Sequence, residues 1–124
     1  MNIRRFTGFI LANLLGLVFP VYPQIGDNWH VEYFNEDKGL SGPESYWLLQ
    51  DKMGYLWIAT ADGLNRFDGY GFKTFRKVPG DTSSIASSQV SRMVMDQQGN
   101  IWIGYTAGGI SYYDASKGSF KNYM

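Results

Sequence analysis

The sequence contains no cysteine and only one histidine, His30. Without cysteine the chain cannot form a disulfide, a thiolate metal site or a lipid-modified cysteine. A single histidine without kinase or metal-ligand neighbours gives no catalytic set, so we interpret His30 as a surface or edge side chain. We therefore predict that this segment has no catalytic residue, no metal site and no cofactor of its own.

The chain also lacks an excess of charge. Its 11 basic residues balance its 11 acidic residues, which gives a formal net charge of +0. Domains that bind nucleic acid carry surplus positive charge that neutralises the phosphates. The charge balance therefore predicts no nucleic-acid partner for this segment.

No apolar run of the sequence is long enough to cross a membrane. The longest one, at residues 8–19, follows a start with two arginines and falls short of the ~20 residues that a membrane-spanning helix needs. A basic start followed by a short apolar core is the layout of a secretory signal peptide. We predict a signal peptide helix within residues 1–26, either cleaved or kept as an anchor. The mature chain is expected to start between Pro23 and Asn28.

Aromatic residues and glycines are abundant, and one motif occurs twice. The sequence DKMGYLWI at residues 51–58 returns as DQQGNIWI at residues 96–103, with Asp, Gly, Trp and Ile in register. The offset of 45 residues also holds before the motif, and it grows to 46 and then 48 after it, at predicted turns. An internal period of this length is the mark of a repeat protein.

Ten residues of the repeat form a motif to which we assign a structural role. Each Asp-x-x-Gly group predicts a type I turn, because the Asp carboxylate accepts from a backbone amide and Gly takes the positive φ that closes a hairpin. Each tryptophan lies in the middle of a predicted strand and is expected to fill the contact between neighbouring sheets. The ten are Asp51, Gly54, Trp57, Gly63 and Asp68 in the first copy, and Asp96, Gly99, Trp102, Gly109 and Asp114 in the second.

Alternating and aromatic-rich segments predict four short strands in each copy. These are residues 46–50, 55–60, 64–67 and 72–75, then 91–95, 101–105, 110–113 and 120–123. Four antiparallel strands in every repeat are the pattern of a β-propeller blade. The predicted fold is all-β, with two four-stranded blades of an incomplete β-propeller preceded by a signal peptide helix. Its parts are a lone N-terminal strand at residues 27–34, blade 1 at residues 35–80 and blade 2 at residues 81–124.

The motif resembles the two-component regulator propeller repeat, which runs Asp, two residues, Gly, then Trp-Ile-Gly-Thr, Gly-Leu, an aromatic residue and Asp-Gly. The first copy has WIAT at residues 57–60 and GLNRFDG at residues 63–69, and the second has WIGY at residues 102–105. Ala59, Tyr105 and the missing Gly after Asp114 are its departures from the family pattern.

The resemblance implies a function that the composition does not. Such repeats are found in the periplasmic sensor region of hybrid two-component histidine kinases of Bacteroidetes. The chain would then be the N-terminal part of an exported, periplasmic ligand-sensing propeller of an inner-membrane protein, detecting carbohydrate-type ligands. The partners implied are further propeller repeats of the same full-length chain, an oligosaccharide ligand and, for the full-length sensor, a homodimer. The segment itself would not be an enzyme, whereas the full-length protein would carry a histidine kinase.

The alternative interpretation is a fragment of a secreted β-propeller enzyme, a glycosidase or lyase, whose catalytic residues lie beyond Met124. Asp51 and Asp96 would be candidates for a carboxylate pair in glycoside hydrolysis, but the turn role accounts for both of them. The family motif names no ligand residue. Four residues near predicted strand ends remain as candidate ligand contacts: Asn65, Arg66, Tyr105 and Tyr112.

Overall fold

Eight antiparallel strands form two four-stranded sheets in a computed structural model that describes residues 31–123. Blade 1 comprises β1 (Ser45–Gln50), β2 (Leu56–Thr60), β3 (Gly63–Phe67) and β4 (Phe72–Phe75). Blade 2 comprises β5 (Val90–Met95), β6 (Ile101–Tyr105), β7 (Ile110–Asp114) and β8 (Ser119–Tyr123). In each blade the strands follow one another in chain order, after a 3-10 turn at Glu36–Lys38 that precedes β1. The predicted all-β fold with two four-stranded blades is confirmed, and every strand bound lies within one residue of its prediction.

The N-terminal predictions fall largely outside the described residues. The signal peptide, the start of the mature chain and His30 all lie there. Of the lone strand predicted at residues 27–34, the described part, residues 31–34, forms no strand. A strand forms when its backbone amides and carbonyls pair with a neighbouring strand, and no described residue pairs with this segment. Alternation in the sequence predicts the faces of a strand but supplies no pairing partner.

The first Asp-x-x-Gly group closes the hairpin between β1 and β2. One carboxylate oxygen of Asp51, Oδ1, accepts from the backbone amides of Met53 at 2.9 Å and Tyr55 at 3.0 Å. Gly54 takes a φ of 90°, which residues with a side chain rarely adopt. The second oxygen, Oδ2, accepts from Nε1 of Trp57 at 2.7 Å. A single aspartate therefore both builds the turn and orients the tryptophan.

The second group repeats the turn but changes the tryptophan contact. Oδ1 of Asp96 accepts from the amides of Gln98 at 3.0 Å and Asn100 at 2.9 Å, and Gly99 has a φ of 91°. Here Oδ2 accepts from the side-chain amide of Asn100 at 3.3 Å, where the first copy uses the indole of the tryptophan. The turn geometry is thus common to both blades, while the indole of Trp102 is oriented by other contacts.

The blades pack face to face, and Trp57 lies in the contact between them. It is 0% exposed, and its ring centroid lies 4.8 Å from that of Tyr113 in blade 2 and 5.7 Å from that of Phe75. The guanidinium carbon of Arg66 lies 5.6 Å from the ring centroid of Trp57. The same guanidinium donates a hydrogen bond to the hydroxyl of Tyr113 at 3.3 Å. The rest of the buried core comprises Ala59, Leu64, Ile85, Ala86, Val90, Met93, Ile101, Ile103 and Tyr105.

Trp102 holds the equivalent place in blade 2 but faces away from blade 1. It is 38% exposed and packs on Tyr112 at 4.7 Å and on Tyr123 at 6.1 Å between ring centroids. Within residues 31–123 no sheet covers this face. The expectation that Trp102 fills a contact between sheets therefore stays a prediction, one that requires a further blade.

The two remaining motif aspartates also accept hydrogen bonds at turns. Asp68, between β3 and β4, accepts from the amides of Tyr70 at 2.8 Å and Gly71 at 2.9 Å. Asp114, at the end of β7, accepts from the hydroxyl of Ser116 at 2.6 Å and pairs with Nζ of Lys117 at 3.2 Å. The Ser116 hydroxyl and then Lys117 lower the pKa of Asp114 from 3.8 to about 2.

This lowered pKa predicts a loss of stability in acid. The unfolded chain protonates Asp114 near pH 3.8, the folded chain only near pH 2, so the stabilisation present above the unfolded pKa is lost as the pH falls between these values. In urea titrations the Asp114→Asn variant should be less stable than wild type at neutral pH, and the two curves should converge near pH 2. The control Asp37→Asn, whose exposed carboxylate accepts no hydrogen bond from the described residues, should run parallel to wild type. A constant gap between Asp114→Asn and wild type across this range would contradict the assignment.

Candidate functional site

A cleft of about 570 Å³ opens where the edge strands β1 and β5 lie side by side. It contains two partly exposed aromatic rings, those of Tyr46 and Trp47, the latter 41% exposed. Within the part of the chain that the structure describes, its other polar groups are two hydroxyls, one amide and one guanidinium, and no carboxylate lines it. The lining residues are Tyr46, Trp47, Ala61, Gln89, Ser91, Arg92 and Thr106.

A β-bulge in each edge strand places the aromatic and charged side chains at this cleft. The pairing of β1 with β2 shifts between Ser45 and Trp47, and that of β5 with β6 shifts between Val90 and Arg92. A bulge inserts one extra residue in a strand and re-aims the side chains beside it. Tyr46 and Trp47 therefore both line the cleft, although consecutive residues of a regular strand point to opposite faces.

Arg92 supplies the positive charge of the cleft. Its guanidinium carbon lies 5.8 Å from the ring centroid of Trp47, within the range of a cation–π contact. Within the described residues it takes part in no ion pair, the three pairs there being formed by other side chains. Ser91, beside it, is held by a hydrogen bond from Oγ to the carbonyl of Gly104 at 3.1 Å. The guanidinium thus keeps its donors available for a ligand while its orientation is set by the indole.

A second cleft, of about 550 Å³, lies along β8 and along residues 76–89, the connector that joins the blades. Several of its polar groups bind one another. The side-chain amide of Asn122 donates to the carbonyls of Ser84 at 2.8 Å and Thr82 at 3.3 Å, and the amide of Val78 donates to Oγ of Ser84 at 2.9 Å. We interpret this cleft as the place where the connector packs on blade 2, because the hydrogen bonds of Asn122 join β8 to the connector.

The motif residues lie mostly away from the cleft. The turns that hold Asp51, Asp68, Asp96 and Asp114 are at the opposite ends of the strands. Gly54 and Gly99 belong to the same turns, and Trp57 and Trp102 lie on the blade faces. Gly63 and Gly109 lie at the hairpins on the cleft side, with φ values of 145° and 87°. The motif therefore builds the blades, and none of its ten residues lines the cleft.

None of the four candidate ligand contacts lines the cleft either. Asn65 and Tyr105 are buried in hydrogen-bond networks inside the blades, and burial raises the pKa of Tyr105. Arg66 lies between the two sheets, where it stacks on aromatic rings. Tyr112 packs on the exposed indole of Trp102. The first three therefore have structural roles within and between the blades.

Tyr46, Trp47 and Arg92 are not among the residues predicted from the sequence, although the repeat contains a signal for them. At the offset of 45 residues, Tyr46 and Trp47 align with Ser91 and Arg92. Most framework positions keep their residue type between the copies, whereas these two positions change from aromatic to polar and charged. Positions that differ between repeats of one framework are free of the packing constraint, so they are the ones that ligand contacts can use.

The described residues show neither a membrane span nor a metal cluster. Within residues 31–123 no helix combines the length and the apolar character that a bilayer crossing requires. In the same residues no group of three or more His, Cys, Asp or Glu side chains could hold a metal ion.

The chain is similar to a known protein family, to a curated protein and to a solved structure. A family model described as "Two component regulator propeller" matches residues 39–62 and 84–107, two segments at the repeat offset. A curated histidine kinase of Formosa agariphila is 44% identical over 59 residues, which are 48% of this chain and 4% of that protein. Among solved structures, the extracellular domain of a protein assigned to the hybrid two-component systems of B. thetaiotaomicron matches 74% of this chain and 20% of its own. That match has 22% identity and a TM-score of 0.39.

Proposed function

We propose that this chain is part of an exported, ligand-sensing propeller of a two-component signalling protein, because two of its segments match the model of the two-component regulator propeller family. In this proposal the sensor lies in the periplasm, and ligand binding to it controls a histidine kinase elsewhere in the full-length protein. The segment would bind and signal without catalysing a reaction. In support, backbone amides in the turns bind the carboxylates of Asp51 and Asp96, the candidate pair for glycoside hydrolysis.

The ligand class that we propose is an oligosaccharide bound in the cleft between β1 and β5. The observation that carries it is the exposed indole of Trp47 beside the available guanidinium of Arg92. An aromatic ring offers a flat apolar surface to one face of a sugar ring, while convergent polar groups fix its orientation. The hydroxyls of Ser91 and Thr106 and the amide of Gln89 are the polar groups at this place.

Charge further favours acidic sugars over neutral ones. Among residues 31–123, Arg92 is the only charged side chain that lines the cleft. A guanidinium binds a carboxylate through two parallel, charge-assisted hydrogen bonds, which are stronger than bonds to neutral hydroxyls. A sugar stacked on the ring of Trp47 and a neighbouring uronic-acid unit, with its carboxylate on the guanidinium of Arg92, would use both groups.

Titration with two oligosaccharide sets tests the proposal. Neutral gluco-oligosaccharides and oligogalacturonides would each be titrated into the protein, with binding followed by calorimetry and amide shifts. The acidic set should bind more tightly, and Trp47→Ala should weaken binding of both sets by about tenfold or more. Arg92→Gln should remove the preference for the acidic set while neutral binding persists.

Trp102→Ala is the matched control, because Trp102 is exposed to nearly the same degree, 38% against 41%. It lies on a blade face outside the cleft, so its loss should leave the affinity unchanged. Equal losses in the Trp47 and Trp102 variants, or no binding by either set, would contradict the assignment of the cleft.

A further inference from the structure

Two positively charged side chains lie directly opposite each other on neighbouring strands of blade 1. Arg66 on β3 and Lys73 on β4 are register partners, and Arg66 is in turn the partner of Trp57 on β2. Partners in an antiparallel pair share a face of the sheet, so both cations belong to the face that packs on blade 2. Their Cβ atoms are about 5 Å apart in such a pair, and like charges placed opposite each other are destabilising. We call Arg66 and Lys73 the basic pair.

The repeat framework does not require the second cation. At the equivalent positions of blade 2, Tyr112 lies opposite Lys121. A neutral aromatic ring therefore fills the place of Arg66 in a blade of the same strand order and pairing. The positive charge at position 66 is thus a feature of blade 1 alone among the two blades, and the fold does not account for it.

No ion pair neutralises the basic pair within residues 31–123, where the three ion pairs are formed by other side chains. A guanidinium has five N–H donors, and within these residues that of Arg66 uses one, to the hydroxyl of Tyr113 at 3.3 Å. The carboxylate of Asp68, at the end of β3, is bound by the backbone amides of Tyr70 and Gly71 instead. The amide of Gly71 is the largest cause of the lowered pKa of Asp68, and Arg66 contributes less.

Aromatic rings beside the basic pair orient the two cations. The guanidinium carbon of Arg66 lies 4.6 Å from the ring centroid of Tyr55. Nζ of Lys73 lies 5.1 Å from the ring centroid of Phe75. Cation–π contacts of this kind hold a cation in place without neutralising its charge. Because Arg66 is half-buried and Lys73 is exposed, the pair is open to solvent at the Lys73 end and shielded at the Arg66 end.

We propose that the basic pair binds a phosphate-type oxyanion, a group with two negative charges such as phosphate or sulfate, between the two blades. A guanidinium binds two oxygens of such an anion through parallel, charge-assisted hydrogen bonds. The ammonium of Lys73 supplies the second positive charge, and the bound anion removes the repulsion within the pair. The hydroxyl of Tyr113, which accepts from Arg66, retains its own proton to donate to a third oxygen. Shielding by the two blades makes these interactions stronger than they would be in open solvent.

Titration with small oxyanions tests the site in the full chain. Inorganic phosphate, inorganic sulfate and glycerol 3-phosphate would each be compared with chloride at equal ionic strength, with binding followed by calorimetry and by indole resonances. Each oxyanion should bind at least about tenfold more tightly than chloride. The indole N–H resonance of Trp57 should move on binding, because the guanidinium of Arg66 lies beside that ring, whereas the resonance of Trp102 should not. Tighter binding of glycerol 3-phosphate would assign the site to a group carried by a larger molecule, and tighter binding of the inorganic ions would assign it to a free ion.

Variants test whether the oxyanion lies at the basic pair. Lys73→Gln should weaken phosphate binding by about tenfold, and Lys73→Arg should keep it. The matched control is Lys121→Gln, which removes the same cation from the equivalent position beside Tyr112 and should leave the affinity unchanged. Arg92→Gln, in the cleft between β1 and β5, should also leave it unchanged. Phosphate binding no tighter than that of chloride, equal losses in Lys73→Gln and Lys121→Gln, or a loss in Arg92→Gln alone would overturn the inference.

Discussion

Replacing Trp57 by alanine should lower the free energy of unfolding by about 3–5 kcal/mol. The indole is completely buried between the blades, against Tyr113 and Phe75. Its removal loses the transfer free energy of a large aromatic group and leaves a cavity in a sheet-to-sheet contact. It also leaves Oδ2 of Asp51 without the indole donor at 2.7 Å. Urea unfolding of wild type and variant at neutral pH measures the difference.

Trp102→Ala provides the comparison, because it deletes the same side chain from the same place in the other repeat. Trp102 is 38% exposed, and within the described residues its aromatic partners are Tyr112 and Tyr123 of its own blade, so its loss should cost about 1 kcal/mol in this chain. In a longer protein in which a further blade covers Trp102, its cost should rise to that of Trp57, about 3 kcal/mol or more. Equal, small effects of both variants here would show that Trp57 does not lie between the blades.

Gly63→Ala should destabilise the protein by about 3 kcal/mol, for a reason unrelated to hydrophobic burial. Gly63 has a φ of 145°, a conformation that residues with a Cβ rarely adopt. The added Cβ would also lie 3.0 Å from the carbonyl oxygen of Phe75 and 3.2 Å from both Oγ of Ser41 and Cγ2 of Thr74. The backbone oxygen cannot move without disturbing β4, so backbone strain and steric overlap add together.

Gly69→Ala separates these two contributions. Gly69 also has a positive φ, 98°, but an added Cβ would meet no atom within 4 Å. Its replacement should therefore cost only the backbone strain, about 1 kcal/mol. Thermal or urea unfolding of the two variants measures both losses in the free energy of unfolding. A loss for Gly69→Ala as large as that for Gly63→Ala would contradict the close packing around β3 and β4.

The elements that could be predicted are those set by local chemistry and by the repeat. The turns at Asp51 and Asp96 depend on hydrogen bonds within five residues of chain, so one motif predicts both. The strand pattern follows from the alternation of apolar and polar residues and from the spacing of turns. The two copies of the repeat predict the same strand order independently. Trp57 was expected between sheets because a large aromatic residue in mid-strand needs a covering surface.

The features that could not be predicted depend on position within the array. Trp57 and Trp102 have near-identical sequence contexts, yet one is buried and the other exposed, because only one has a blade on its face. Residues 32–34 have the alternation of a strand but no described partner. The cleft depends on bulges in β1 and β5, and a bulge changes which side chains share a face without changing the residue types.

The two repeats are consecutive blades whose faces meet at Trp57 and Tyr113. A nuclear Overhauser measurement between the aromatic protons of these two residues in the isotope-labelled protein tests this arrangement. Because the ring centroids lie 4.8 Å apart, we expect clear cross-peaks between the Trp57 indole and the Tyr113 ring. Cross-peaks from Trp57 to residues of blade 1 alone would contradict it.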